Sequence, residues 1–218
     1  MPRRDKDTTS PMTGNPELID QYRRIHASAA YGTTSVKNLR FIRPEIQLLR
    51  PQSILDYGCG QSRLIELLDL GYAADLKRYD PAIPAFALKP AGVFDLVINV
   101  DVLEHIQETD LDAVLAEMRG FGREALIIID TRPAKKLLSD GRNAHVTIRP
   151  HDWWRERLSR HFDHLEPIST VRRSRAGFRT WSRKPGDSQR FLRMRAAENL
   201  RHVALRLTGR HKMPEGRG

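Results

Sequence analysis

The hydrophobic residues in the central part of the sequence form short runs that alternate with segments of helical spacing. One run, residues 53–57, ends in a glycine turn, and three more cover residues 76–80, 94–100 and 124–130. The last two are apolar enough to be buried on both faces of a sheet. Strands that alternate with helices in this way predict an α/β fold, with a mostly parallel sheet and helices on both of its faces.

The helices are predicted from their apolar spacing and from the residues that begin and end them. Asn15 can cap a first helix that has Pro16 in its first position. Residues 35–49 form a second helical stretch, which we expect to be interrupted near Pro44. Three further helices are expected: one that carries Leu64, Ile65, Leu67 and Leu68 and is closed by Gly71, one capped by Thr109, and one opened by Pro150.

Two features concern the edges of the predicted sheet. Around Gly177, residues 165–173 and 177–183 have the pattern of a C-terminal antiparallel hairpin. At the other side, only 13 residues, three of them proline, separate Asp80 from Phe94. This segment is too short for a helix and a further strand. We therefore expect the edge strand after Asp80 to be reduced or missing.

Length and composition indicate one domain with two tails. The chain of 218 residues, 39% of them hydrophobic, suits a single domain over residues 15–184, between a disordered arm at 1–14 and a tail at 185–218. No apolar run is long enough to span a membrane, and the N-terminus lacks the pattern of a signal peptide. Cys59 is the only cysteine. These features favour a reducing, cytoplasmic location.

The tail contributes much of the formal net charge of +10 and has a helical apolar stripe. A basic amphipathic helix can dock on its own domain, bind nucleic acid or lie on a membrane surface. The sequence leaves these alternatives open. The stripe consists of Leu192, Ala196, Leu200, Val203 and Leu207.

The segment ILDYGCGQSRL, residues 54–64, contains the main functional signal. A strand would deliver Asp56 to its carboxyl end, and Gly58 and Gly60 follow in the turn, where a ligand can approach the main chain closely. Asp80 ends the next strand, where a carboxylate can accept hydrogen bonds from ribose hydroxyls. A dinucleotide-binding turn would have a third glycine at Arg63, so the pattern argues against NAD.

These motifs, together with FDLVINVDVLEHI at 94–106, resemble those of the class I S-adenosylmethionine-dependent methyltransferases, particularly the small-molecule branch that includes ubiquinone-pathway enzymes. The resemblance covers roughly residues 50–170 and implies a Rossmann-like sheet with S-adenosyl-L-methionine as the cofactor. It implies that Asp56 engages the methionine amino group. The other cofactor-binding residues that it implies are Gly58, Gly60, Asp80, Pro81, Asn99, Val100 and Asp101, with Tyr31 and Gly32 in an N-terminal segment, beside His26, that closes over the cofactor.

Two histidines are candidates for a catalytic base, because an unperturbed imidazole titrates near neutral pH. His105 follows the strand that ends near Asp101, and His145 lies after the strand that ends near Asp130. Together with Asp101 and Glu104 they could also be metal ligands. We expect no metal site, because the DVLEH pattern is widespread without one.

The sequence therefore predicts a methyltransferase that modifies an oxygen or nitrogen atom of a small or medium-sized acceptor. Two alternatives stay open: an RNA-modifying methyltransferase that uses the basic tail for affinity, and a cofactor-binding module without turnover. The tetrapeptide typical of enzymes that methylate base amines is absent after residue 98, where NVDVLEH stands instead.

Overall fold

The computed structural model describes residues 13–28 and 33–207. Its sheet has six strands in the order β2-β1-β3-β4-β6-β5. The first four strands are parallel, and β6 runs antiparallel to both β4 and β5. The α/β fold and the C-terminal hairpin predicted from the sequence are thus confirmed. The strands are β1 (Ser53–Tyr57), β2 (Asp75–Tyr79), β3 (Phe94–Val100), β4 (Gly122–Asp130), β5 (Glu166–Pro167) and β6 (Arg175–Arg179).

The described residues form five α-helices, and helices cover both faces of the sheet. On one face, α3 and α4 pack against Val97 and Ile127 of the central strands. On the other face, α2 and residues 64–70 pack against Leu96 and Ile98. The central strands are therefore buried on both sides, as their continuous apolar runs predict. The helices are α1 (Pro16–Ser28), α2 (Leu39–Leu49), α3 (Leu111–Phe121), α4 (His151–Ser159) and α5 (Asp187–Leu207).

The sheet ends at β2, which confirms the missing edge strand. Residues 80–93, all of them described, contain only a short 3₁₀ helix, Pro84–Phe86. This segment folds back onto the edge: the Asp80 amide donates to the Phe86 carbonyl at 3.0 Å. The Arg78 guanidinium lies 4.0 Å from the centre of the Phe86 ring. The exposed edge is thereby partly covered without another strand.

The prediction of a helix after β1 is wrong. Leu64 and Leu68 are buried, but residues 61–70 form turns with a single α-helical hydrogen bond, from the Leu67 amide to the Arg63 carbonyl at 3.1 Å. The Ser62 hydroxyl accepts a hydrogen bond from the Leu64 amide at 3.0 Å. A serine that binds the main chain locally in this way competes with helix formation.

Pro44 does not interrupt α2, contrary to the expectation. A proline in a helix leaves the carbonyl four residues earlier without its usual donor, which here is Arg40. The Arg195 guanidinium of α5 donates to that carbonyl. A contact with another helix therefore satisfies the group that the proline leaves unpaired.

The first and third helices begin close to their predicted positions. The Asn15 side chain accepts hydrogen bonds from the Glu17 and Leu18 amides at 2.9 and 3.2 Å, which confirms the predicted cap. For α3 the residue before the first turn is Asp110, one position after the predicted Thr109, and no side chain caps the helix.

Helix α5 packs on α2 through the side opposite its apolar stripe. Arg43 and Glu198 form a 2.6 Å ion pair whose side chains are 7% and 13% exposed. The described large side chains of the stripe instead face solvent: Leu192, Leu200, Val203 and Leu207 are 66%, 71%, 52% and 82% exposed. Among the described residues, no helix is both long and apolar enough to cross a bilayer.

The ion pair between α2 and α5 gives a stability prediction. Glu198→Ala should lower the free energy of unfolding by about 3 kcal/mol, because it leaves the Arg43 charge buried without its partner. Asn199→Ala changes the next residue on the exposed side and serves as the control. Urea unfolding followed by circular dichroism measures both variants. Equal stability of the two variants would show that α5 does not depend on this pair.

Candidate functional site

A crevice opens at the carboxyl ends of β1, β2 and β3, where parallel strands place their ligands. α1 covers it from above through Leu18, Tyr22 and His26. Eight of the predicted site residues line this one crevice: Asp56, Gly58, Gly60, Asp80, Pro81, Val100, Asp101 and His105.

The glycine turn after β1 has a backbone that other residues would rarely adopt. Gly58 and Gly60 have φ angles of +77° and +51°. A Cβ atom on Gly58 would lie 2.6 Å from the Val102 side chain, so the close approach itself requires glycine. The Asp80 carboxylate fixes the turn: its Oδ2 accepts from the Gly60 amide and its Oδ1 from the Ala82 amide, both at 2.8 Å.

Asp56 lines the crevice with a carboxylate oxygen that has no partner. The residue is 3% exposed, and its buried Oδ2 accepts no hydrogen bond from any described group. Burial raises the pKa of Asp56 to about 7, although Arg78 nearby lowers it. An unsatisfied buried carboxylate of this kind would be stabilised by a cationic or hydrogen-bond-donating ligand.

The end of β3 differs in part from the expectation. Asn99 does not line the crevice: it is fully buried, and its side chain donates to the Tyr57 carbonyl at 3.0 Å, which ties β3 to β1. Val100 and Asp101 do line it. Asp101 has a φ angle of +59°, which is strained for a residue other than glycine and turns the chain sharply at the crevice.

Part of the predicted closing segment cannot be compared with the structure, because Tyr31 and Gly32 lie outside the described residues. His26, in the same N-terminal segment, is described and lines the crevice. The Gln61 side chain donates to the His26 carbonyl at 3.0 Å and so links α1 to the glycine turn.

The two candidate histidines lie side by side, with ring centres 4.9 Å apart. Each Nδ1 lies close to a main-chain carbonyl oxygen: that of Ala144 at 2.7 Å for His105, and that of Arg132 at 2.5 Å for His145. A carbonyl only accepts, so each neutral ring carries its proton on Nδ1 and its lone pair on Nε2. Burial lowers the pKa of both rings, and that of His105 falls to about 3.

Glu104 completes a cluster with these histidines. One ligand atom from each of Glu104, His105 and His145 lies within 4.8 Å of the others. The Glu104 Oε2 atom is buried without a hydrogen-bond partner among the described residues. Burial first, and then the Asp101 carboxylate, raise the pKa of Glu104 well above its usual range. The three groups could hold a divalent cation, since a ring that donates its Nδ1–H to a carbonyl is oriented for ligation through Nε2.

Arg175 is a candidate site residue that the sequence analysis missed. Its Nη2 lies 3.0 Å from Asp101 Oδ2, and its Nε lies 3.4 Å from Asp130 Oδ2. The antiparallel pairing of β6 with β4 places Arg175 directly opposite Asp130. The prediction from the sequence leaves Arg175 in the turn between the two predicted strands, at 165–173 and 177–183, and its partner depends on the register of the hairpin.

Solved structures with similar folds were found by comparison. A 1,6-didemethyltoxoflavin-N1-methyltransferase from Burkholderia thailandensis, with S-adenosylhomocysteine bound, is 14% identical, with a TM-score of 0.52 over 83% of this chain and 98% of that one. The N-methyltransferase NodS from Bradyrhizobium japonicum, also with S-adenosylhomocysteine, is 15% identical, with a TM-score of 0.50 over 76% of this chain and all of that one. The chain has the fold of class I methyltransferases.

The likeness at these identities concerns the fold. An O-methyltransferase family protein from Burkholderia thailandensis is 12% identical with a TM-score of 0.43; the match covers 66% of this chain, which spans only 55% of that one. No protein-family model and no curated protein matches the sequence.

The cluster of Glu104 and the two histidines gives a prediction on metal binding. The sequence pattern argues against a metal site, but the geometry of the cluster predicts that Zn²⁺ raises the midpoint temperature of thermal unfolding. At ten times the dissociation constant, the stabilisation is about 1.4 kcal/mol. His145→Ala should abolish it, whereas His151→Ala, at an exposed histidine outside the cluster, should not. An unchanged midpoint with Zn²⁺ would leave the cluster without metal affinity.

Proposed function

We propose that this protein is an S-adenosylmethionine-dependent methyltransferase that acts on an oxygen or nitrogen atom of a small or medium-sized acceptor. The observation that carries the proposal is the crevice itself. The glycine turn that Asp80 holds in place and the buried Asp56 carboxylate, with its unsatisfied oxygen, face one cavity. Solved structures with a similar fold include methyltransferases. The lone cysteine favours a cytoplasmic location.

The residues of the crevice fit the parts of this cofactor. Asp56 would accept a hydrogen bond from the amino group of the methionine part, which supplies the missing partner of its Oδ2. Gly58 and Gly60 leave room for that part to approach the main chain. Asp80 would accept from the ribose hydroxyls, because each carboxylate oxygen has a second lone pair beyond its bond to a main-chain amide. Pro81, Val100 and Asp101 would line the cavity around them.

The cofactor, when bound, supplies a methyl group that is already activated by the positive sulfur. The protein then needs to orient the acceptor, exclude water and take up its proton. When no cation occupies its Nε2, His145 suits the last task better than His105. A pKa of about 3 makes His105 a weak base, while it orients its neighbour through the edge-to-face ring contact. The ring of His145 is less buried than that of His105.

Calorimetry with S-adenosylmethionine, S-adenosylhomocysteine and NAD tests the cofactor. We expect one-to-one binding of the first two and none of NAD. Asp80→Ala should weaken binding at least tenfold, about 1.4 kcal/mol, through loss of the ribose contact and of the support for the Gly60 amide. Asp80→Asn keeps one acceptor oxygen and should lie between. Binding of NAD, without binding of S-adenosylmethionine or S-adenosylhomocysteine, would contradict the proposed function.

The role of His145 is tested by separating turnover from binding. In methyl transfer from radiolabelled cofactor into a pool of small molecules, His145→Ala should lower the rate roughly 100-fold. Cofactor affinity should stay within about twofold of wild type, since His145 does not line the crevice. An equal loss of rate and affinity would indicate a structural role. Cofactor binding without any labelled product would indicate a binding module that lacks turnover.

A further inference from the structure

A second cavity lies beside the crevice, between the start of α4 and the hairpin. It has a volume of about 600 Å³. Arginines dominate its charged lining: Arg155 comes from α4, Arg172 and Arg173 from the β5–β6 turn, and Arg175 from β6. The acid and the histidine in the lining are Asp152 and His151. We refer to this cavity as the arginine cleft.

The arginine cleft and the crevice share a wall. Asp101 lines the crevice and Arg175 lines the cleft, and the two side chains form a 3.0 Å ion pair. Asp101 directly follows the last residue of β3, and Arg175 is the first residue of β6, so both lie at the same end of the strands. A molecule in the cleft would therefore extend toward the place where Asp101 meets the crevice.

Most guanidinium groups of the cleft lack an acidic partner among the described residues. Arg155, Arg172 and Arg173 are exposed and form no ion pair with any described residue. Nearby Arg179 and Arg183 differ, since both bind Glu45, at 3.0 and 2.7 Å. Positive charge has been left unpaired here, while a few residues away it is neutralised.

Arg175 adds an observation that points to a ligand. The residue is 9% exposed, and its Nη1 atom is buried without a hydrogen-bond partner among the described residues. Its Nε and Nη2 atoms are used by Asp130 and Asp101. A buried guanidinium nitrogen without an acceptor is costly, and an oxygen atom of a ligand would satisfy it.

We propose that the arginine cleft binds an oxyanion group, phosphate or carboxylate, on the methyl acceptor. Guanidinium groups match such oxygens in pairs of parallel hydrogen bonds, which would orient the acceptor as well as hold it. The volume is that of a small-molecule site. This proposal rests on the methyltransferase function and specifies its substrate class: a small anionic acceptor whose reacting atom lies at the Asp101 side.

The test uses full-length protein saturated with S-adenosylhomocysteine, whose binding is verified first. Pyrophosphate and citrate are then titrated by calorimetry, so that the two arms distinguish phosphate from carboxylate recognition. We expect saturable binding of at least one probe. Arg172→Gln/Arg173→Gln should weaken it at least tenfold. Arg190→Gln/Arg193→Gln removes the same charge from exposed, unpaired positions on α5 and should change it less than twofold.

Each other result overturns the proposal. Binding of neither probe to protein that binds S-adenosylhomocysteine refutes the anionic acceptor and leaves the methyltransferase function intact. Equal weakening by both double variants means that net charge, not the cleft, attracts the anion. Tighter binding of a single-stranded RNA oligonucleotide, with a steep salt dependence that both pairs of arginines share, assigns the surface to nucleic acid instead. Failure to bind S-adenosylhomocysteine would instead count against the proposed function.

Discussion

The hydrogen bond from the Gly60 amide to the Asp80 carboxylate is the constraint on which the site depends. It joins the turn after β1 to the end of β2, so the two strands and the crevice between them keep one geometry. The turn needs positive φ angles that favour glycine, and the Gly58 position also lacks space for a side chain. The missing strand beyond β2 does not affect this arrangement, because the short segment after Asp80 folds back and binds it.

The electrostatic potential at the carboxyl ends of the strands is determined by acids that lie close together there. Asp56 and Glu104 are buried, and Asp101 beside them is partly buried, so their charges are costly. The guanidinium of Arg175 reaches Asp101, while one carboxylate oxygen of Asp56 has no hydrogen-bond partner within the described part of the chain. An excess of buried carboxylate is what a positively charged cofactor would stabilise. The same excess would favour a cation at the cluster of Glu104 and the two histidines.

Much of the fold could be predicted because it depends on local patterns. The strands, the glycine turn and the Asn15 cap each follow from a few adjacent residues. Features that depend on distant contacts could not. Pro44 stays helical because Arg195 reaches its turn, and the stripe on α5 faces solvent because the other side docks on α2. Asn99 has the position of a cofactor ligand in the sequence, but its side chain is used to join two strands.

The same distinction separates the two halves of the site. The proposed cofactor half is built from a turn and two strand ends, so its residues are consecutive or nearly so and can be recognised in the sequence. The proposed acceptor half combines Asp101 and His105 with His145 from a loop and Arg175 from the hairpin. These residues come together only through the tertiary fold. Motifs in one strand–turn–helix unit cannot specify such a set. The acceptor therefore has to be identified from the unpaired charges of the folded protein.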